Sequence, residues 1–400
     1  MKERKQFIFP VFIAILLAWV VMFTLNEMQP GLSALAEQTG ALLTFGKQLA
    51  NVDSGSWAWN LIYSFTDFNE GPFFTDTLAT VFMFAFAILS LYLEKVKSPL
   101  AGTGVSGIGN KWIWLICSQG AGIVLANVIW RFLVGWEGWI PTFTPLVSVT
   151  PIAILVFGKP NFKKALTGAV LGAILPVALC QGLILYFQGP LGLPLFAALG
   201  IGMPLATVIG TEIFKVLPWM NKDDPEPADA AVVETIPVPA GVTAVQTSAG
   251  HLVWTRVFGG DISELYFWGS SLSGLGVFLG VIISFILNPS ASAAGLGAPK
   301  MFFAFIATSA IGMLFWGPRY QKTGYAFTFE GVLMIGALLG LCTTWTITIA
   351  AMIVFAIIGP ALIHWALGTK FFGRYAACVP VQFFAGVTTI VGFYILRLFA

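Results

Sequence analysis

Apolar residues in this chain are gathered into long blocks, with short polar stretches between them. A block of about 20 such residues, rising 1.5 Å each as a helix, matches a hydrocarbon layer about 30 Å thick. Eleven blocks can be marked: Phe7–Leu25, Thr77–Leu93, Trp112–Phe132, Phe143–Phe157, Ala165–Phe187, Leu193–Leu217, Tyr266–Leu287, Met301–Trp316, Tyr325–Leu341, Thr344–Leu367 and Ala377–Leu396. The fourth, eighth and ninth are short. Strands of a membrane barrel would alternate over segments of about ten residues, and no such alternation is visible. The pattern predicts an all-α, polytopic transmembrane bundle of about 11 spans, with 10–12 as the range.

Basic residues test that count, because Lys and Arg in short loops stay on the cytoplasmic side. With the N-terminus inside and strict alternation, the inside segments hold Lys2, Arg4, Lys5; Lys95, Lys97, Lys111; Lys159, Lys163, Lys164; Lys215, Lys222, Arg256; Arg319, Lys322; and Lys370, Arg374. These are 16 of the 20 basic residues. Lys47, Arg131, Lys300 and Arg397 fall outside or are buried. The expectation is a multi-pass protein of a bacterial-type inner (cell) membrane with its N-terminus cytoplasmic. The first block follows Met-Lys-Glu-Arg-Lys and reads as an uncleaved anchor rather than a signal peptide, since Ala34-Leu35-Ala36 lies far from it.

The polar stretches divide the chain. Residues 1–26 form the anchor. Residues 27–76 read as an outer-face loop, with an amphipathic stretch, Leu32–Ala50, and the aromatics Trp57, Trp59 and Tyr63 suited to a headgroup boundary. Residues 77–217 form a first bundle. Residues 218–262, opening on Asp223-Asp224-Pro225-Glu226-Pro227, read as a cytoplasmic linker, and residues 263–400 as a second bundle. Four spans precede the linker (Trp112–Leu217) and four follow it (Tyr266–Leu367). Their shared Gly-rich texture suggests a parallel repeat.

Composition narrows the function classes. Hydrophobic residues make up 58% of the chain and charged residues 10%, against about 25% charged in a soluble domain. Net charge is +2 with no basic face, which argues against nucleic acid. The bilayer is the one partner composition implies. Cys117, Cys180, Cys342 and Cys378 lie in apolar stretches without metal-ligand or disulfide spacing. No HExxH, GxSxG or Walker A pattern occurs. No cofactor, metal or catalytic constellation is expected, and an enzyme is disfavoured.

Polar groups inside apolar blocks carry what chemistry remains, because a central charge costs about 2.5–3.5 kcal/mol on insertion scales. Glu330 stands one turn into the ninth block, with Arg319 and Lys322 as its nearest basic residues in sequence. It is the first candidate for proton coupling. Glu212, three residues before Lys215, reads as either an interfacial ion pair or a carboxylate at an inner mouth. Arg131 reads as an outer anchor beside Trp130 or as an anion contact with Glu137. Gln119, Gln181 and Gln382 sit on three different spans and could line a wet cavity together with Thr343 and Thr344. Pro176 and Pro204 are the candidate helix breaks. The expected function is a secondary transporter (a permease, and a symporter if proton-coupled) for a small solute. The alternatives are a membrane subunit of a larger complex, homo-oligomeric or with a partner subunit, and a membrane-embedded enzyme acting on a lipid-linked substrate.

Overall fold

The computed structural model describes residues 2–38, 57–71, 73–102, 111–134, 139–220, 248–289, 297–324 and 326–397. Most of the amphipathic stretch 32–50, Glu137, and linker residues 221–247 lie outside them. The regular elements among the described residues are helical. In chain order they are α1 (Lys2–Gln38), α2 (Trp57–Asp67), α3 (Thr77–Lys95), α4 (Lys111–Val134), α5 (Thr144–Val147), α6 (Val149–Leu155), α7 (Phe162–Leu183), α8 (Leu195–Val216), α9 (Ala249–Thr255), α10 (Asp261–Glu264), α11 (Ser271–Leu287), α12 (Ala298–Thr323), α13 (Thr328–Leu338), α14 (Trp345–Leu367) and α15 (Cys378–Arg397). A π-helical turn, Ile184–Gln188, extends α7, and another, Arg256–Gly260, joins α9 to α10.

Among the described residues, eight helices are long and apolar enough to cross a membrane. Three apolar blocks give shorter helices instead: Thr144–Leu155, Ser271–Leu287 and Thr328–Leu341. The eighth block, expected to be short, is a full-length helix, because α12 continues through Pro318 to Thr323. The fourth block is short and broken. Ser148 leaves helical geometry at φ −126°, ψ −103°, separating α5 from α6.

Two compact units are present, and neither follows the bundles drawn from sequence. The first comprises residues 1–53, 72–107 and 238–361, and the second residues 54–71, 108–237 and 362–400. In the first unit α1 lies along α12, and α3 packs on α11. In the second, α4, α7, α8 and α15 surround the broken pair α5 and α6. Residues 249–262, assigned from sequence to a linker, are helical, and Arg256 and Asp261 within them are buried. Their short helical patches were too polar to read as a span, yet their charges pair internally.

A local frame recurs along the chain. Asp67 and Glu70 are followed by Phe73, with φ +69°, and by Asp76, whose carboxylate caps α3 by accepting from Ala79 N at 3.0 Å. Asp261 and Glu264 are followed by Phe267, with φ +74°, and by Ser270, whose hydroxyl caps α11 by accepting from Ser273 N at 3.3 Å. Every pair is offset by 194 positions (67 to 261). A positive φ is uncommon for a non-glycine residue and costly for a bulky one. Its recurrence at Phe73 and Phe267 marks one turn used twice.

The likeness continues downstream. Thr142 and Thr328, 186 positions apart, each donate from N and Oγ1 to the carbonyl two residues back: Ile140 at 2.8 and 3.4 Å, Ala326 at 2.7 and 3.4 Å. In the second unit Gly200 of α8 and Gly386 of α15, again 186 apart, face each other. A Cβ added to either would fall 2.3 or 2.7 Å from the other's Cα. Such close backbone approach is the usual small-residue contact of membrane helices.

The sense of this repeat is visible within the first unit. On α11, Gly276 lies against Phe82 of α3, while Gly280 lies against Ala79 and Leu78. The two helices therefore run antiparallel, although they follow the same turn in their respective copies. The copies are inverted, and their register pairs α3 with α11. The parallel pairing of Trp112–Leu217 with Tyr266–Leu367 expected from sequence is replaced. Gly-rich texture resembles itself in many registers, so texture alone could not choose between them.

Candidate functional site

The second unit brings two of the three predicted glutamines to one place. Pro151 has no N–H to give the Val147 carbonyl, and the break at Ser148 frees the Leu146 carbonyl as well. Gln119 of α4 donates Nε2 to Leu146 O at 2.8 Å, and Gln382 of α15 donates Nε2 to Val147 O. Ser148 Oγ adds a bond to Thr144 O at 2.5 Å, and Thr150 Oγ1 one to Gly168 O at 3.0 Å. Two amides from different helices thus replace the missing backbone donors, as a helix interrupted at membrane depth requires. Gln181 is half-buried on α7, and its buried Oε1 has no hydrogen-bond partner among the described residues.

In the first unit Glu330 sits in the first turn of α13. It is fully buried, and neither carboxyl oxygen has a hydrogen-bond partner among the described residues. Gly359 of α14 makes room for it, since a Cβ there would lie 3.1 Å from Glu330 Cγ. The basic neighbours expected from sequence do not serve it: Lys322 pairs with Glu3 at 2.9 Å. An ionised carboxylate without donor or counter-ion carries an uncompensated desolvation cost. The neutral acid is the form that fits this setting.

The duplicated frame places a buried carboxyl centre in each unit. In the first, Arg256 donates to both Asp261 and Glu264, with Nη2 to Glu264 Oε2 at 2.6 Å. Asp261 also accepts from Ser309 Oγ at 2.5 Å and Thr328 Oγ1 at 2.9 Å, and the guanidinium lies 5.0 Å from the Tyr320 ring centre. In the second, Asp67 Oδ2 accepts from Asn127 Nδ2 at 2.7 Å and Thr142 Oγ1 at 2.8 Å. Glu70 Oε1 accepts from Trp139 Nε1 at 2.5 Å, and the Arg131 guanidinium lies 5.0 Å from the Tyr63 ring centre. The cation–π pair recurs with its members exchanged: Tyr63 on α2 and Arg131 on α4 against Arg256 before α10 and Tyr320 on α12. Burial, and then the neighbouring Glu70, push the Asp67 carboxyl well above the usual carboxylate range, while the Asn127 and Thr142 bonds draw it back.

The remaining predicted residues scatter. Glu212 and Lys215 form an exposed pair at 2.9 Å, the interfacial reading. Arg131 is buried, not an anchor reaching for water. Its proposed partner Glu137 lies outside the described residues. Thr343 and Thr344 are exposed beyond the far end of α13 from Glu330, and Thr344 Oγ1 caps α14 by accepting from Ile347 N at 3.3 Å. Of the expected breaks, Pro176 and Pro204 both sit inside continuous helices; the break lies at Ser148. Asp67, Glu70, Arg256, Asp261 and Glu264 were missed because they lie outside the apolar blocks. Their signal is the recurring Asp-x-x-Glu ahead of an aromatic pair and a capping residue. Among the described residues no group of three or more His, Cys, Asp or Glu is gathered as for a metal ion. No protein-family model, curated protein or solved structure matches the chain.

Proposed function

We propose that this membrane protein is a secondary transporter for a small solute, coupled to protons through Glu330. The observation that carries the reading is the inverted repeat, with α3 and α11 antiparallel after the same strained turn. Inverted-topology repeats with interrupted helices near mid-membrane are a frequent transporter architecture, in which one copy rocks against the other. The break at Ser148, mended by Gln119 and Gln382, supplies an interrupted helix in one unit. The short α13 with unpartnered Glu330 supplies a protonatable one in the other. A buried acid that changes protonation is the usual device for proton coupling.

An N-terminus in the cytoplasm of a bacterial-type inner membrane is part of this proposal. Within the first unit, Glu3 and Gln6 of α1 bond Lys322 and Gln321 at 2.9 Å each. Within the second, Lys111 Nζ donates to Leu155 O at 3.1 Å, Lys164 Nζ to Lys159 O at 3.1 Å, and Trp219 Nε1 to Thr167 Oγ1 at 3.0 Å. Segments assigned to the inside from basic-residue counting therefore meet at one end of each unit.

The test is proton movement in liposomes carrying the purified protein and an internal pH dye, challenged with a panel of sugars, amino acids, carboxylates and nucleobases. At least one class is expected to drive proton entry in wild type, at a rate lowered tenfold or more in Glu330→Gln. Solute-driven proton entry at the wild-type rate in Glu330→Gln removes Glu330 from the coupling. No solute flux by any class, with or without a gradient, removes the transporter reading and favours a subunit of a larger assembly.

A further inference from the structure

One end of the second unit is strongly basic. Lys111 Nζ bonds Leu155 O, Lys164 Nζ bonds Phe157 O and Lys159 O, the Phe157 ring meets Phe214, and Lys215 lies over the Tyr375 ring. These contacts gather the ends of α4, α6, α7 and α8 and the residues before α15. Lys111, Lys159, Lys163, Lys164, Lys215 and Arg374 stand there. Among the described residues of that end the carboxylate is Glu212, paired with Lys215 at 2.9 Å. Lys163 and Lys164 occupy the first turn of α7, where the helix dipole disfavours a cation, and no acidic residue accompanies them. Gly158, at φ +68°, turns the chain after α6, and Lys164, itself buried, fastens that turn to α7 from inside. Lys159 and Lys163 are left exposed on its outer side.

The same helix continues this surface in apolar form. Phe162, Leu166, Val170 and Ile174 are all exposed, Phe162 at 68%. Their spacing of four residues puts them on one side of α7. From Phe162 to Ile174 the stripe rises about 18 Å at 1.5 Å per residue, a little more than half of a hydrocarbon layer about 30 Å thick. Trp219 is partly exposed and donates from Nε1 to Thr167 Oγ1 at 3.0 Å, beside the stripe, as an aromatic suited to the headgroup boundary.

We propose that Lys159, Lys163 and the exposed stripe of α7 form a binding site for one anionic phospholipid. The two ammonium groups take the phosphodiester, and an acyl chain lies along Leu166, Val170 and Ile174. Basic loops alone give a diffuse attraction to an anionic leaflet. Here the charge runs directly into an apolar track one leaflet deep, so headgroup and chain are met together. A soluble anion would engage the lysines and leave the track unused. The site stands whether or not a solute is carried.

The test titrates the full-length protein in zwitterionic detergent with phosphatidylglycerol, reading retained lipid by native mass spectrometry and the thermal midpoint alongside. Phosphatidylglycerol is expected to bind saturably and raise the midpoint, and phosphatidylcholine and glycerol phosphate to do neither. Lys159→Gln and Lys163→Gln should each weaken half-saturation about fivefold, with the lipid-free midpoint unchanged. Equal retention of phosphatidylcholine, a full response to glycerol phosphate, or unchanged half-saturation in both variants overturns the proposal. So does a lipid response that first appears after Asp223→Asn, Asp224→Asn and Glu226→Gln, because the chain's own acidic stretch would then hold the lysines. If a variant fails to fold by circular dichroism, salt decides on wild type: phosphatidylglycerol binding that is undiminished at about 1 M salt, where charges are screened within about 3 Å, overturns the site.

Discussion

At the residue scale, two buried aspartates on the same turn have opposite environments and predict opposite behaviour. Asp261 is held by a direct ion pair with Arg256, both almost fully shielded. Removing one partner of such a pair leaves an uncompensated buried charge and costs about 3–5 kcal/mol. Arg256→Met should therefore destabilise the detergent-solubilised protein by about that much, read as a lowered thermal midpoint. Adding Asp261→Asn and Glu264→Gln should restore most of it, whereas equal destabilisation in the triple variant would show that Arg256 acts through packing. Asp67 works the other way. Its folded carboxyl lies above the ordinary value of 3.8, so the folded state binds the extra proton. The stability it contributes is fully present below that value and is lost as pH rises through the raised one. Thermal midpoint should fall with rising pH above the ordinary carboxylate range, and Asp67→Asn should flatten that slope. An unchanged slope would locate the pH dependence elsewhere. Neither aspartate was legible in the sequence, because a buried charge was sought inside apolar blocks and these stand just ahead of them. Glu330 was legible for that same reason: it stands alone among apolar residues, and its burial without a partner is what such isolation implies.

Among elements, the broken helix shows how far spacing can be read. Pro145 and Pro151 were visible as prolines at a block of marginal length, but Pro176 and Pro204 looked better placed by their flanking glycines. In the structure α7 and α8 run straight through those two, because a proline's lost hydrogen bond can be tolerated where neighbouring helices compensate. At Ser148 the compensation comes instead from Gln119 and Gln382, which lie 263 residues apart in the chain (119 to 382) and cannot be paired by local pattern. Truncating one partner of a buried hydrogen bond costs about 1–3 kcal/mol. Gln382→Leu should cost that much by stranding the Val147 carbonyl. Pro151→Ala returns a backbone N–H four residues after Val147, so it should stabilise the Gln382→Leu protein more than it does wild type. Thermal midpoints of the four proteins measure the coupling directly. Equal effects of Pro151→Ala in both backgrounds would mean that Gln382 does not stand in for the lost donor.

For the whole molecule, eleven blocks, basic residues on alternate turns and a mid-chain polar stretch gave the class of fold. The inversion of the repeat could not be reached that way. It depends on which helices touch, and Gly276 and Gly280 meeting α3 in reverse order is information no count of spans contains. Inversion has a consequence for topology. The first copy of the frame follows α1 and the second follows the polar stretch before residue 248, so an inverted pair requires the chain to enter the two copies from opposite faces of the membrane. On the proposed topology an anchor helix with its N-terminus inside would do this, by delivering residue 57 to the outer face and leaving Lys215 on the inner one. Single cysteines at Lys163 and Arg319, in a protein whose own Cys117 is replaced by Ala, should both react with an impermeant maleimide in inside-out vesicles and neither in right-side-out ones. A cysteine at Trp139, beside the frame that follows α1, should show the reverse. Labelling of positions 163 and 139 from the same side would break the alternation, and with it the inverted arrangement on which transport by rocking of one copy against the other depends.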